Sequence, residues 1–337
     1  MFGLERILIW GLGSAGSRHV AIVQRVMPKA GILVYSRRAG ELLASDSEEF
    51  TASLERVSEF QPQIAIVANE APLHLKTADI LAEMGCHILI EKPVDIDLER
   101  CYRFFERHRQ RQLVIQVGYN LRFIESVRVF RESIKAGKIG IVTSAFFQVG
   151  QFLPNWRNQG DSLESVTGTR ALGGGVLLEL SHEIDSVEWI LGQIEWVQAW
   201  EGKTSDLVVD VEDLACLVLG VRCATSDREI VVSLTMDVTS HRATRNYTVV
   251  GTAGTVYCDL MRQEVTLFSQ HEQSDLENFP EFDKNDAYRL QLCNFVDRIE
   301  HGEYSWDSFH TSVRVLQVID AARKSAKASG VRMMVRV

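Results

Sequence analysis

Three features of the 337-residue chain carry residue types that do chemistry: a glycine-rich turn, a lysine after an apolar run, and a histidine near two carboxylates. In the first, the apolar run at 7–10 leads directly into spaced glycines. This spacing between a strand and a helix is typical of a dinucleotide site, where a pyrophosphate contacts unpaired amides at the helix start. We therefore predict a dinucleotide site formed by Gly11, Gly13, Ser14, Ala15 and Gly16. The alternative is a tight turn that binds no ligand.

The second feature is Lys92, in the tripeptide Glu91-Lys92-Pro93 that follows the apolar run at 87–90. The carboxyl ends of parallel strands form the functional edge of such a sheet. If this run is a parallel strand, the lysine directs an ammonium group into a cleft beside the cofactor. Otherwise Lys92 is a surface residue of a strand-to-helix loop.

The third feature is His182, which lies three residues after Glu179 and three before Asp185. On one helix this spacing places Glu179 and His182 on a shared face, with Asp185 displaced around the next turn. A carboxylate one turn away can orient an imidazole and raise its basicity, as a general acid or base requires. The alternative is a histidine that packs where a helix meets a sheet.

The elements that must position these residues alternate regularly over the first 120 residues. Short apolar runs predict strands at 7–10, 32–35, 64–67, 87–90 and 113–117. Amphipathic segments between them predict helices near 14–27, 52–60, 72–84 and 97–110. This alternation is typical of right-handed βαβ units and a parallel Rossmann sheet.

The second half is richer in β-branched and aromatic residues. After a helix near 123–136, we predict strands near 141–149, 195–200, 214–220, 229–236, 247–251, 255–258 and 265–268. Their hairpin-like spacing favours antiparallel pairing. Closing helices are expected near 286–301 and 307–328, followed by a strand-like segment at 331–337 that pairs back with a sheet. We therefore predict an α/β protein of two domains, 1–120 and 121–337, with closing helices able to pack back on the first domain.

The end of the second predicted strand distinguishes the two nicotinamide cofactors. An NAD site usually carries Asp or Glu about 20 residues past the glycines, bonded to the ribose 2′-hydroxyl. Here the strand is followed by Ser36, Arg37 and Arg38, without an acid. Two guanidiniums favour a 2′-phosphate, which arginine binds through charge-assisted hydrogen bonds. We predict NADP in preference to NAD; the alternative is a solvated loop, with NAD held by other contacts.

Composition excludes several classes of protein. The formal net charge of -9 and pI of about 5.6 argue against a nucleic-acid-binding surface. No apolar run approaches the roughly 20 residues of a membrane helix, and the first strand begins too early for a signal peptide. Six scattered cysteines without a Cys-x-x-Cys pair predict a reduced, cytoplasmic protein, and no metal site is predicted.

Several motifs occur together in an order that makes their combination specific. Asn69-x-x-Pro72-x-His74 follows the third strand, between the glycine turn and Glu91-Lys92-Pro93. Further pieces are found at 118–123, 173–185, 250–255 and 321–325. With this combination nearly the whole chain resembles the Gfo/Idh/MocA family of glucose–fructose oxidoreductase-like and inositol dehydrogenase-like enzymes. In one departure, Glu179 stands three residues before His182, where the family carries an Asp four residues before its histidine.

The resemblance implies a Rossmann domain, followed by an α/β domain with a large, mostly antiparallel sheet that serves substrate binding and oligomerisation. It implies hydride exchange between a nicotinamide and a hydroxyl or ketone carbon of a sugar, cyclitol or nucleotide sugar. His182 would carry the proton and Lys92 would polarise the reacting oxygen, with Glu179 in support. A homodimer or homotetramer is expected.

The remaining site residues follow from their places beside these motifs. Cofactor contacts are expected from Asn69, His74, Glu91 and Lys92. Substrate contacts are expected from Tyr119, Asn120, Arg122 and Asp185. Trp156 and Arg157 are added because the long polar stretch 149–172 is interpreted as a loop over the active site. The alternative is a surface excursion ordered only by packing of Trp156. Two other functions stay open: a dinucleotide-responsive regulatory protein that turns nothing over, and a biliverdin-reductase-like reductase.

Overall fold

The computed structural model describes residues 4–37, 48–156, 166–269, 273–279 and 283–336. The chain divides into two compact units, and each contains its own sheet. The first unit comprises residues 1–120 and 283–313, and the second comprises 121–282 and 314–337. Helices and strands are numbered below in chain order through both units.

The first unit contains a six-stranded sheet in which every pair of neighbours is parallel. Its strands are β1 Arg6–Trp10, β2 Gly31–Tyr35, β3 Glu48–Thr51, β4 Ile64–Val67, β5 His87–Ile90 and β6 Ile115–Val117. Their order, β3-β2-β1-β4-β5-β6, is that of a Rossmann fold and confirms the predicted parallel sheet. β3 was not predicted, because its sequence Glu-Glu-Phe-Thr lacks an apolar run.

Helices connect these strands and cover the sheet. They are α1 Ser14–Val26, α2 Leu54–Phe60, α3 His74–Glu83 and α4 Leu98–His108. Helix α1 buries Gly16, His19, Val20, Ile22 and Val23, which recur at helical spacing and therefore form one face. This face joins a core of strand residues such as Ile7 and Ile64, together with Phe295 from the C-terminal part of the unit.

The second unit contains a nine-stranded sheet in the order β14-β13-β12-β11-β7-β10-β9-β8-β15. The strands are β7 Val142–Gly150, β8 Gly192–Gly202, β9 Leu214–Cys223, β10 Glu229–Asp237, β11 Thr244–Gly251, β12 Gly254–Asp259, β13 Glu264–Ser269, β14 Gln273–Asn278 and β15 Met333–Met334. Only β7 and β10 pair in parallel among these described strands. The prediction of a large, mostly antiparallel sheet is confirmed, as is the return of the C-terminal segment to a sheet.

Among the described residues, the helices of the second unit leave outward side chains on one side of this sheet exposed. They are α5 Glu125–Lys135, α6 Val176–Glu179 and α7 His182–Leu191. Helices α5 and α7 pack against the sheet, and alternate strand residues such as Phe147 are buried. The residues between them on the strands point outward and include large apolar side chains, such as Phe146, which is 52% exposed to solvent. We call the surface formed by Phe146, Trp200, Val218 and Val231 the open face.

Two long helices close the chain. Helix α8 Lys284–Glu300 lies in the first unit, and α9 Asp307–Lys327 begins in the first unit and ends in the second. The Asp283 side chain caps α8 by accepting a hydrogen bond from the backbone N–H of Asn285. Within the described residues, no helix combines the length and hydropathy that crossing a bilayer requires.

The prediction of one helix carrying Glu179, His182 and Asp185 is wrong. Helix α6 ends at Glu179, and α7 begins only at His182. Leu180 between them has φ -100° and ψ 24°, which interrupts the helical hydrogen bonding. Glu179 and His182, predicted to share a face of one helix, therefore belong to different helices, whereas His182 and Asp185 share α7.

Candidate functional site

The glycine-rich turn forms a backbone cradle at the start of α1. Gly11 has φ +106°, a conformation that side chains disfavour, and a Cβ there would lie 2.7 Å from the backbone of Ala68. A Cβ at Gly16 would lie 2.0 Å from the Gly11 carbonyl oxygen. At Gly13, by contrast, a Cβ would meet nothing within 4 Å, so this position faces open space.

The first turn of α1 is electrostatically suited to an anion. No side chain caps the helix at Gly13, and no acidic residue lies in the first turn. The unpaired amides and the helix dipole therefore remain directed at whatever binds there. Cradle and helix start together fit the pyrophosphate of a dinucleotide.

Among the described residues, the two that directly follow β2 include a cation and no carboxylate. Ser36 is buried, and its backbone N–H donates to the Thr51 carbonyl at 2.9 Å. Arg37 follows and is exposed to solvent. Arg38, the other arginine predicted to contact the cofactor, lies outside the described residues.

His74 and Asn69 form a polar cluster at the end of β4. His74 begins α3 and is buried, with Nδ1 2.7 Å from the Pro93 carbonyl oxygen and Nε2 3.0 Å from that of Asn69. Burial lowers the pKa of His74, although both carbonyl contacts oppose this shift. The Asn69 amide donates to Thr77 at 3.0 Å. His74 therefore lies between the ends of β4 and β5, and its neutral ring donates to one of the two carbonyls at a time.

Glu91, predicted as a cofactor contact, is bonded to helix α1. Its Oε1 lies 2.7 Å from Nε2 of His19, and both residues are buried. Burial by itself would raise the pKa of Glu91, but the His19 hydrogen bond and the nearby charges of His19 and Lys92 lower it below its usual value. His19 was not among the predicted site residues, although its place three residues after Gly16 puts it on the buried face of α1.

Helix α8 adds a tyrosine to this cluster. Arg18 donates to the Tyr288 hydroxyl at 3.0 Å, and its guanidinium lies 4.8 Å from the ring centroid. The ring of Tyr288 also meets His19 edge-on at 5.6 Å. Asn120, predicted to contact substrate, is buried and hydrogen-bonds to Tyr288. No motif in the sequence pointed to Tyr288.

Lys92 lies directly after β5, at the carboxyl edge of the parallel sheet. It is half-buried, and the Lys92–Pro93 peptide bond is cis. The strands β1, β2 and β4 run parallel to β5, so the residues that follow them lie at the same edge. These residues include Gly11 after β1, Ser36 after β2 and Asn69 after β4. The predicted cofactor residues that the structure describes are thus gathered where a Rossmann sheet binds its ligand.

His182 and Glu179 lie on either side of the break between α6 and α7, and both are half-buried. The residue after His182, Glu183, anchors α7 to the sheet through a buried ion pair with Arg245 of β11 at 2.7 Å. The Tyr247 hydroxyl lies 3.4 Å from the same carboxylate. His182 therefore extends from a helix start that is fixed to β11.

Arg122 and Asp185, both predicted as substrate contacts, contact each other. The guanidinium donates from Nε and Nη2 to the two carboxylate oxygens at 2.9 and 2.6 Å. Asp185 is only 1% exposed. Burial raises the pKa of Asp185, although Arg122 opposes the shift. This pairing joins the start of the second unit to α7.

Of the other predicted substrate contacts, Tyr119 and Trp156 lie within the described residues. Tyr119 is buried directly after Gly118. Trp156 ends a short 3-10 turn at 153–155, and its buried indole N–H has no hydrogen-bond partner among the described residues. Arg157 lies outside the described residues. Among those that are described, no three His, Cys, Asp or Glu side chains form a group suited to a metal ion.

Family models match both halves of the chain. Residues 5–119 match the model described as oxidoreductase family, NAD-binding Rossmann fold. Residues 131–335 match the model described as oxidoreductase family, C-terminal alpha/beta domain. Both matches confirm the resemblance and the fold class predicted from the sequence.

Named relatives include dehydrogenases of small polyols. Inositol 2-dehydrogenase of Rhizobium meliloti (strain 1021) is 23% identical over 323 residues, which are 93% of this chain and 90% of that protein. The rhizopine catabolism protein MocA of Rhizobium meliloti is 28% identical over 129 residues. That second match spans only 38% of either chain.

Solved structures share the fold over almost the full length. Levoglucosan dehydrogenase in complex with NADH has a TM-score of 0.84 at 20% identity, covering 98% of this chain and 99% of that chain. The WlbA dehydrogenase from Bordetella pertussis, in complex with NADH and UDP-GlcNAcA, has a TM-score of 0.79 at 18% identity, covering 99% of each.

Proposed function

The chain belongs to the Gfo/Idh/MocA oxidoreductase family, and we propose that it transfers hydride between a nicotinamide dinucleotide and a hydroxyl or ketone carbon of a sugar, cyclitol or nucleotide sugar. One observation carries this proposal: the uncapped start of α1, with open space at Gly13, shares a sheet edge with Lys92. The names of inositol, levoglucosan and nucleotide-sugar relatives support the substrate class. The comparisons do not support a regulator without turnover.

Lys92 and His182 have the chemistry that this reaction requires. The bound nicotinamide supplies the hydride acceptor or donor. His182 accepts the hydroxyl proton during oxidation and returns it during reduction. Lys92 donates a hydrogen bond to the reacting oxygen and so polarises it. Glu179 supports His182 from the end of α6.

We propose that the cofactor is NADP in preference to NAD. Support comes from the exposed guanidinium of Arg37 after β2, with Arg38 beside it in sequence and no carboxylate there. Ser36 would add a hydroxyl. The cofactor's 2′-phosphate would then be bound through charge-assisted hydrogen bonds.

Of the proposed substrate contacts, Trp156 has the strongest support, because no described residue accepts a hydrogen bond from its indole N–H. Arg157, Tyr119 and Asn120 stay in the proposal. Arg122 and Asp185 are proposed to act as a pair, since both carboxylate oxygens of Asp185 accept hydrogen bonds from Arg122.

The proposal is tested by screening turnover. Purified protein is mixed with NADP⁺ or NAD⁺ and a panel that includes myo-inositol, levoglucosan and UDP-activated hexoses, and absorbance of the reduced nicotinamide is followed. Lys92→Ala and His182→Ala should each lower kcat by roughly 10²–10⁴. Variants that retain wild-type turnover would refute the two roles. Tight NADPH binding without turnover of any substrate would instead favour the regulator.

We also propose that the open face joins two copies of the chain. Strand pairing aligns Val218, Ser233 and Phe146 across β9, β10 and β7, and Trp200 pairs with Cys216 on neighbouring strands. Large exposed apolar patches mark contact surfaces. Phe146→Lys should lower the molar mass measured by light scattering, whereas Lys138→Glu, outside this face, should not.

The free thiols of the six cysteines support a cytoplasmic location for the protein, because disulfide bonds are rare in that compartment.

A further inference from the structure

The carboxylate of Glu91 joins two segments of the first unit through its two oxygens. Oε1 lies 2.7 Å from Nε2 of His19 on α1. Oε2 accepts a hydrogen bond from the backbone N–H of Lys92 at 3.3 Å. A single buried side chain is thus bonded both to the helix that begins at the glycine cradle and to the peptide that carries Lys92.

The surroundings hold this carboxylate in place. A Cβ at Gly118, which follows the neighbouring strand β6, would lie 3.1 Å from Oε2 and 3.3 Å from Cα of Glu91. On the other side, Tyr288 packs edge-on against His19. Because both partners are buried, water does not replace the His19 hydrogen bond when it is lost.

Resting on the function proposed above, we propose that His19 is a positioning residue for Lys92, acting through Glu91. A carboxylate only accepts hydrogen bonds, so Nε2 of His19 is the donor. The donor fixes Oε1, and the rigid carboxylate then fixes Oε2 against the Lys92 peptide. The same contact sets the direction of Lys92 relative to the start of α1, where the dinucleotide phosphate would bind.

The test compares His19→Leu, which removes the donor, with His19→Gln, whose amide keeps a donor on a side chain of similar reach. We expect His19→Leu to lower kcat on the order of 10–10²-fold, because a displacement of about 1 Å has that effect on a reacting group. The KM for NADP⁺ should change less than about 3-fold. His19→Gln should restore most of kcat, which a loss caused by packing alone would not allow.

A Lys92→Ala background separates the possible causes. If His19 acts through Lys92, adding His19→Leu to this background lowers kcat no further. An equal loss in both backgrounds would overturn the positioning role while leaving the proposed function intact. Wild-type turnover by Lys92→Ala alone would show instead that the proposed role of Lys92 is wrong.

A second variant gives a readout that needs no substrate. Glu91→Gln keeps the side-chain volume but has one acceptor oxygen where Glu91 has two, so it cannot accept from His19 and from the Lys92 N–H through separate oxygens. We expect a crystal structure of Glu91→Gln with NADPH to show the Lys92 peptide displaced. An unchanged Lys92 position in Glu91→Gln and His19→Leu would overturn the proposal. The folded state of each variant is checked by its thermal unfolding transition.

Discussion

Arg122 holds the buried carboxylate of Asp185 with two hydrogen bonds, which connect the segment after β6 to helix α7. The geometry is bidentate, the arrangement in which a guanidinium binds a carboxylate most strongly. Asp185 lies on the same helix as His182, so the pair helps to fix the orientation of the proposed proton carrier. Loss of the Arg122–Asp185 pair is therefore expected to lower both the free energy of unfolding and kcat.

Replacing Arg122 should be strongly destabilising. Arg122→Leu leaves Asp185 buried without its partner, and we expect the free energy of unfolding to fall by about 3–5 kcal/mol in urea titration. Arg128→Leu is the control, because Arg128 and Glu125 form an exposed pair at 3.1 Å that is worth less than about 1 kcal/mol. Equal losses in the two variants would contradict this account.

His74 should make the protein less stable in mild acid. Its folded-state pKa lies below the ordinary 6.5, so below that pH the unfolded chain binds a proton that the folded chain excludes. The stabilisation is present above about pH 6.5 and is lost as the pH falls toward the folded-state pKa. Urea unfolding at pH 7.5 and 5.5 should show a larger loss in wild type than in His74→Asn. Equal losses of stability in wild type and His74→Asn would refute the attribution of this acid sensitivity to His74.

Cys216 should report on assembly through the open face. It pairs with Trp200 in the sheet register and is exposed in the single chain. We expect Ellman's reagent to label it slowly in the assembled wild type and rapidly in Phe146→Lys. Cys86 is the internal control, because it is buried and burial raises the pKa of its thiol to about 12. Rapid labelling of Cys216 in both proteins would argue against this interface.

Two glycines of the cradle should respond in opposite ways. Gly13→Asp adds a helix cap in open space, so stability should hold or rise by about 0.5–1 kcal/mol. Its carboxylate should repel the pyrophosphate and weaken NADPH binding at least ~10-fold. Gly16→Ala should instead lower stability by about 1–3 kcal/mol, because its Cβ overlaps the Gly11 carbonyl. Calorimetry and fluorescence titration measure the two effects.

Arg37 should set the cofactor preference. Arg37→Ala removes charge-assisted hydrogen bonds worth about 1.5–3 kcal/mol, so the Kd for NADPH should rise roughly 10–100-fold. The Kd for NADH should change little, because NADH lacks the 2′-phosphate. Arg103→Ala, at an exposed position on α4, is the matched control. An unchanged preference in Arg37→Ala would show that the NADP prediction is wrong.

The parallel sheet could be predicted because its strands are buried on both faces and appear as continuous apolar runs. Strand β3 could not be predicted in this way, because Glu48 and Glu49 interrupt the apolar run at the edge of the sheet. The break between α6 and α7 also left no signal. The backbone leaves the helical conformation at Leu180, and the helix that follows is held to β11 by the ion pair between Glu183 and Arg245.

The sequence by itself determined the glycine cradle, the alternating elements and the candidate residues, because backbone preference and burial periodicity act over a few neighbouring positions. Only the tertiary structure decided which candidates contact one another. His19 and Glu91 are separated by 72 positions, and Arg122 and Asp185 by 63. Such pairs arise because a sheet brings distant segments together and burial leaves each charge in need of a partner.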